Sequence, residues 1–282
     1  MVKFYLPGLF EFFSLYTHFI DMFQQENFKF RKCEIGAVYG APPDTLWNGG
    51  RIRGQGCVDV NLVHSWSQAT NTPCALTFTN CLLDPMDLEN IYCNRIAQLF
   101  ESDRNAIILH SELLENYIRE TYPQYKIVSS TTKCITNVEQ MHEEFAKDYE
   151  RVVLDYNFNK NFPVLKSIEQ KEKCELLINA VCYANCPRRA DHYRHIAATA
   201  KRVSLPEFEC DAMGKTFHEA LKNPNSITVE EIYNIYEPLG FHHYKIEGRT
   251  TNIFDMAEIL VYYMVLPEYQ MEIRQRLTAP FI

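Results

Sequence analysis

Two stretches of the chain place chemically competent side chains at short, regular spacings. The first reads Asn179-Ala180-Val181-Cys182-Tyr183-Ala184-Asn185-Cys186-Pro187-Arg188-Arg189. The three residues between Cys182 and Cys186 suit one helical turn or a tight loop around a metal, and Pro187 stiffens that loop. Cys210 follows in Phe208-Glu209-Cys210-Asp211, and Cys134 closes the polar run Ser129-Ser130-Thr131-Thr132-Lys133. Four thiolates suit an iron–sulfur cluster or a structural zinc, and the spacing does not choose between them. His192 and His195 are alternative zinc ligands, although one packed and one exposed helix histidine is the plainer reading of that pair.

The second stretch is Lys245-Ile246-Glu247-Gly248-Arg249. In extended backbone Lys245, Glu247 and Arg249 share one face, and Tyr244, Ile246 and Gly248 take the other. A buried charged triplet is costly unless its charges pair or bind something. It is therefore a wall for an anionic substrate or cofactor, or a structural Glu247–Arg249 ion pair sealing the barrel top, or the strand ends before Glu247. Asp155 and Asn157, also two apart, are either functional groups or ordinary loop caps. Ser129, Thr131 and Lys133 offer hydrogen bonds to a carboxylate or phosphate, or else form a solvated loop. Asn80, Asn179 and Arg188 complete the candidate substrate-binding set.

These residues need a scaffold that brings them to one place. Short apolar runs recur at Lys3 to Leu6, Cys33 to Tyr39, Ala75 to Thr79, Ala106 to Leu109, Lys126 to Ser130, Arg151 to Tyr156, Glu175 to Ala180 and Tyr244 to Ile246. Helical patterns lie between them at Leu88 to Phe100, Ser111 to Thr121, Val138 to Asp148 and Thr228 to Tyr236, with closing helices over Glu258 to Arg276 broken at Pro267. Ser111 followed by acidic residues reads as a helix start, and Thr228 with Glu231 reads as a capping box. Strands alternating with helices predict parallel βαβ units, and eight such units predict an α/β fold, a single (β/α)8 TIM-type barrel over residues 1–282. An open doubly wound sheet is the alternative, but no G-x-G-x-x-G turn is present to support it. The glycine-rich stretch Asn48 to Gly56 reads as a mobile loop. In a barrel the catalytic end is the one where strands finish, which is where the polar residues above fall.

The net charge of −8, with no dense Lys/Arg block, argues against a duplex-binding surface but leaves room for RNA on a local patch. No secretory signal and no apolar run of about eighteen residues is evident, so a cytoplasmic chain without a membrane span is expected. The ten cysteines then read as free thiols with a metal-binding subset. Cys33, Cys74 and Cys174 fall at strand starts and Cys93 inside a helix, all structural positions; Cys57 and Cys81 are ambiguous.

The run Leu177-Ile178-Asn179-Ala180-Val181-Cys182 with Cys186-Pro187, the distal Cys210, and Lys245-Ile246-Glu247-Gly248-Arg249 together resemble the collagenase-like peptidase family, peptidase family U number 32. The resemblance covers roughly Arg151 to Arg249. It implies a barrel, and either a proteolytic activity or a 4Fe–4S cluster held by four cysteines. Cluster-binding members act in oxygen-independent hydroxylation of RNA bases or of a quinone precursor. On this chain Cys182, Cys186 and Cys210 are the implied ligands, and Cys134 is assigned as the fourth by strand position.

Three functions follow as expectations. In the first, a cluster-binding enzyme with a redox donor modifies RNA or a small aromatic acceptor; Lys245, Arg249 and Lys133 orient an anionic group, and Glu247 or Asp155 moves protons. The second is a peptidase or other hydrolase. The third is a non-catalytic barrel with a closed zinc site that binds a partner.

Overall fold

The computed structural model describes residues 1–50, 58–210, 212, 216–249 and 251–282. The eight apolar runs form parallel strands β1 Val2–Pro7, β2 Cys33–Gly40, β3 Cys74–Phe78, β4 Ala106–Leu109, β5 Lys126–Ser129, β6 Arg151–Leu154, β7 Cys174–Leu177 and β8 His243–Lys245. Each pairs with its sequence neighbours, and β8 pairs with β1 through Lys3–His243, Phe4–Tyr244 and Tyr5–Lys245. That last ladder closes the barrel and excludes the open doubly wound sheet.

Alternation along the strands divides the apolar residues into two cores. Inward-facing Tyr5, Ala37, Tyr39, Ala75, Ala106, Ile108, Val128 and Val153 fill the barrel. Outward-facing residues such as Phe4, Leu6, Leu76, Leu176 and Tyr244 join the larger core shared with the helices. The helices are α1 Phe13–Gln25, α2 Val60–Thr70, α3 Ile91–Phe100, α4 Glu112–Thr121, α5 Val138–Ala146, α6 Phe162–Ser167, α7 Arg189–Ala200, α8 Phe217–Leu221, α9 Val229–Glu231, α10 Ile253–Met264 and α11 Gln270–Thr278. None among the described residues is long and apolar enough to cross a membrane.

Capping explains where several helices begin. Ser111 accepts from the Leu114 amide, and Thr228 forms a complete capping box with Glu231 before the backbone relaxes into a π-helical turn over Ile232–Tyr236. The helix read from Leu88 instead starts at Ile91, because Asn90 caps it by accepting from Cys93; a 3-10 turn, Pro85–Glu89, precedes it. The closing helix starts earlier than read, at the Asn252 cap, and the interruption at Pro267 is present. The sequence reading placed no element over α1, α2 or α6.

Several strands stop one to three residues sooner than their apolar runs. Side chains take over the pairing there: Asn179 accepts the Glu247 amide at 2.7 Å and donates to the Glu247 carbonyl at 2.8 Å, extending the β7–β8 contact past the ladder. Of the glycine-rich stretch read as mobile, 51–57 lie outside the described residues, Cys57 included. Its start is pinned, since Gly49 donates to Thr79 Oγ1 at 3.3 Å and Asn48 brackets Gly50 through 3.0 and 3.2 Å bonds. A Cβ on Gly49 would press on the Thr79 carbonyl oxygen and sit 2.7 Å from Asn80 Cα. Gly49→Ala is therefore expected to cost about 1–3 kcal/mol in urea unfolding. Gly248→Ala, which meets the flexible end of Met256, is expected to cost less.

Candidate functional site at the barrel mouth

The barrel interior carries a buried ion network. Glu175 accepts from Arg151 Nε at 2.8 Å and from Lys245 Nζ at 3.0 Å, and all three residues are buried. The Arg151 guanidinium lies 4.3 Å from the Tyr5 ring centre and the Lys245 ammonium 4.1 Å from that of Tyr39. Burial alone would raise the Glu175 carboxyl, but Lys245 and Arg151 hold it below its usual range. Lys245 thus has a structural partner on the neighbouring strand, below the mouth. His243 closes the floor through a 2.7 Å bond to Tyr5, and burial, reinforced by Arg151, pushes it down to about 4.

Above this layer the alternation of the eighth strand continues past its ladder. Ile246 packs into the outer core, and Gly248 lies against Met256 of α10. Arg249 turns to the mouth, donates to Thr77 Oγ1 at 3.0 Å and lies 5.7 Å from the Tyr39 ring centre. Glu247 accepts from the Val181 amide at 3.2 Å, so it joins the eighth strand to the cysteine segment.

That segment is a turn that feeds α7. Cys186 donates its amide to the Tyr183 carbonyl at 3.3 Å, and Asn185, at φ 54°, lets the chain reverse. Arg189, the first residue of α7, folds back into the barrel top to pair with Asp155 and lies 4.6 Å from the Tyr156 ring centre. Asp155 also caps its own loop by accepting the Asn157 amide at 3.0 Å, as the capping reading expects. The four cysteines are strung along this region. Cys182 and Cys210 are near enough to Cys186 to bear on its thiol, and Cys182 and Arg189 near enough to bear on that of Cys134. Burial raises the Cys134 and Cys186 thiols; Arg189 tempers the first, and the Arg188 amide tempers the second.

Among the described residues no three Cys, His, Asp or Glu side chains converge closely enough to hold a metal ion as they stand. The donor type is the one a cluster takes, since Cys134, Cys182 and Cys186 are soft thiols on connections beyond the strand ends. Beside Cys134 stands a buried guanidinium whose Nη1 has no hydrogen-bond partner. A cationic donor of that kind suits an anionic thiolate assembly.

The other candidates separate. Thr131 reaches the mouth, and its buried Oγ1 has no partner. Ser129 and Lys133 instead converge on Glu144 of α5, away from the mouth. Asn80 is spent on the Leu46 and Ala197 carbonyls and the Leu82 amide, and Asn157 accepts from Asn185 and Asn225. Arg188 lies 4.6 Å from the Phe208 ring centre and donates to the Glu209 carbonyl, which holds the Cys210 segment over α7. His192 stacks on the same ring at 4.5 Å. Three groups escaped the sequence reading: Arg189, Glu11 and His110. His110 bonds Thr132 Oγ1 at 3.0 Å and is pushed down to about 4 by burial and Lys133. It follows β4 directly, so its strand-end position was a signal in the sequence.

Two connected spaces open here. One, of about 60 Å³, is bounded by Arg249, Lys245, Thr77, Ser130, Thr131 and Tyr193. The other, of about 790 Å³, extends between α7, α8 and α10 and is lined by His192, His195, Cys210, Phe217, Glu247 and Ile259, among others. They share Gly50, Glu247 and Gly248.

No family model and no curated protein matches the chain. The solved structure of the U32 peptidase Mk0906 is similar, with a TM-score of 0.57 at 14% identity over 88% of this chain and 94% of that one. That likeness supports a U32-like barrel fold.

Proposed function

We propose that this barrel binds an iron–sulfur cluster through Cys182, Cys186, Cys210 and Cys134 and modifies a small aromatic acceptor that carries an anionic group. The observation that carries the reading is the line of thiols ending beside the unpartnered Arg189 nitrogen at the barrel mouth. When bound, the cluster would supply electron transfer, with oxygen-independent hydroxylation as the reaction class implied by the family resemblance. Arg249 orients the anionic group, and Glu247, which lines both cavities, is placed to hold or release a proton there. Asp155 positions Arg189 rather than touching substrate. A cavity of about 790 Å³ suits a compact ring compound, and the acidic chain lacks a basic block for RNA, so the small acceptor is preferred.

The likeness to a U32 peptidase supports a second reading, peptide hydrolysis, with Glu247, His192, His195 and Cys210 around one cavity. Anaerobic purification separates the two. The first reading expects about four iron and four sulfide per chain with a visible absorption band, lost in Cys182→Ala/Cys186→Ala while far-ultraviolet circular dichroism is retained. Stoichiometric zinc would favour the hydrolase or a zinc-stabilised binding barrel. A folded, colourless, metal-free protein would overturn the cluster.

A further inference from the structure

Glu11 lies between β1 and α1, and the mechanism above makes no use of it. Both its carboxyl oxygens are shut off from solvent, and among the described residues neither has a hydrogen-bond partner. Gly40 lies beside it, since a Cβ there would sit 3.5 Å from Oε2, in ordinary van der Waals contact. The titratable and charged groups that face it are Arg249 from the loop after β8, Tyr39 from β2 and Tyr16 from α1. Behind these, Lys245 bears on Arg249, and Glu247 and Glu175 bear on Tyr39. Burial pushes the Glu11 carboxyl up, and Arg249 offsets only part of that.

Arg249 faces both ways. On one side is Glu11; on the other is the 60 Å³ space, which Lys245, Ser130 and Thr131 also line, the Thr131 hydroxyl being buried without a partner. A single water needs about 10–15 Å³ of such volume, so the space of about 60 Å³ has room for a carboxylate or phosphate group. The adjoining 790 Å³ cavity falls within the range of about 300–1,000 Å³ typical of small-molecule sites. The two together have the shape of a head group and a body.

We propose that the barrel mouth binds the oxyanion group of a small organic acid at Arg249 and Thr131, that the body of the ligand occupies the adjoining cavity, and that Glu11 takes up a proton as the oxyanion binds. The inference deepens the anion-orienting role given to Arg249 above and does not need the cluster. The coupling follows from charge. An oxyanion beside Arg249 competes with Glu11 for the same guanidinium and repels its carboxylate, so the bound state favours neutral Glu11. The complex then holds one more proton than the free protein plus ligand, and affinity falls as pH rises through the titration of Glu11, by up to about tenfold per unit.

The test is calorimetric titration of the full chain with benzoate and with sulfate, whose charges stay constant between about pH 5.5 and 8. It is run in buffers of different ionisation heat, on metal-loaded and metal-free protein. Benzoate is expected to bind with buffer-dependent proton uptake and with affinity falling as pH rises. Glu11→Gln is expected to bind with a flat pH profile, and Arg249→Met and Thr131→Val to lose affinity, the first by about tenfold or more. Sulfate is expected to bind more weakly than benzoate, because it leaves the larger cavity empty. Proton uptake in the wild type is a second readout if Glu11→Gln does not fold. No binding, binding without proton uptake, or unchanged binding by Arg249→Met would each overturn the proposal. A protein without iron that still shows the expected titration would remove the cluster and leave this site standing.

Discussion

Glu175→Ala is expected to cost about 3–5 kcal/mol, because it strips the shared counter-charge from two buried cations at once. Arg151 is 7% exposed and Lys245 6%, and their bonds to Glu175 hold both inside the barrel. The Arg151 guanidinium lies against the Tyr5 ring and the Lys245 ammonium against that of Tyr39, which leaves both cations largely screened from water. Guanidinium unfolding should show a lower midpoint with an unchanged slope. The wild type should also lose stability in acid with a definite sign. Glu175 titrates below its unfolded value of about 4.3. Its contribution is therefore complete above that pH and is lost as pH falls through the folded value. Replacing all three partners by apolar residues of similar volume, Arg151→Met with Glu175→Leu and Lys245→Met, is expected to recover most of the loss, since the network's desolvation cost disappears along with its attraction. An unchanged midpoint for Glu175→Ala would mean that the interior charges do not depend on one another.

The eight strands were legible because a parallel barrel strand is apolar on both faces and short, and these runs fit no longer element. The alternation of Lys245, Glu247 and Arg249 against Tyr244, Ile246 and Gly248 was legible for the same reason, and it persists beyond the ladder. What alternation cannot say is which layer a residue reaches. Lys245 finds Glu175 seventy positions away in the chain and becomes part of the barrel filling, while Arg249 reaches the mouth. The carboxamides were ambiguous for a chemical reason. The donor–acceptor pair that lets Asn80 or Asn179 hold a ligand also lets it replace a missing backbone partner, and here Asn179 does so. Glu11 was invisible because it sits in Leu9-Phe10-Glu11-Phe12-Phe13, where it resembles the polar position of a helix start. Its neighbours at the carboxyl, Gly40 and Arg249, are both distant in sequence. α7 gave little signal because it buries only Arg189, Ala197 and Ala198, which makes no apolar stripe.

Asp155→Ala is the second change expected to cost about 3–5 kcal/mol, and it acts at the cysteine segment. Arg189 is 5% exposed and Asp155 3%, so removing the carboxylate leaves a guanidinium buried beside Cys134 and Tyr156 with no counter-charge. Burial opposes the charge on Arg189, and Asp155 is the largest influence that sustains it. Because Arg189 begins α7, its release should loosen the turn from Cys182 to Cys186 before the barrel itself unfolds. Amide exchange should therefore rise first over 182–189, with the strands still protected. Arg189→Lys is expected to fare little better than Arg189→Met, since an ammonium cannot reach Asp155 and also lay a planar group on the Tyr156 ring. The paired substitution Asp155→Leu with Arg189→Met is expected to recover part of the stability and none of the iron that the proposed cluster would bring. That outcome would assign the ion pair to holding the thiols in place. Recovery of both would show that packing alone positions Cys134, Cys182 and Cys186.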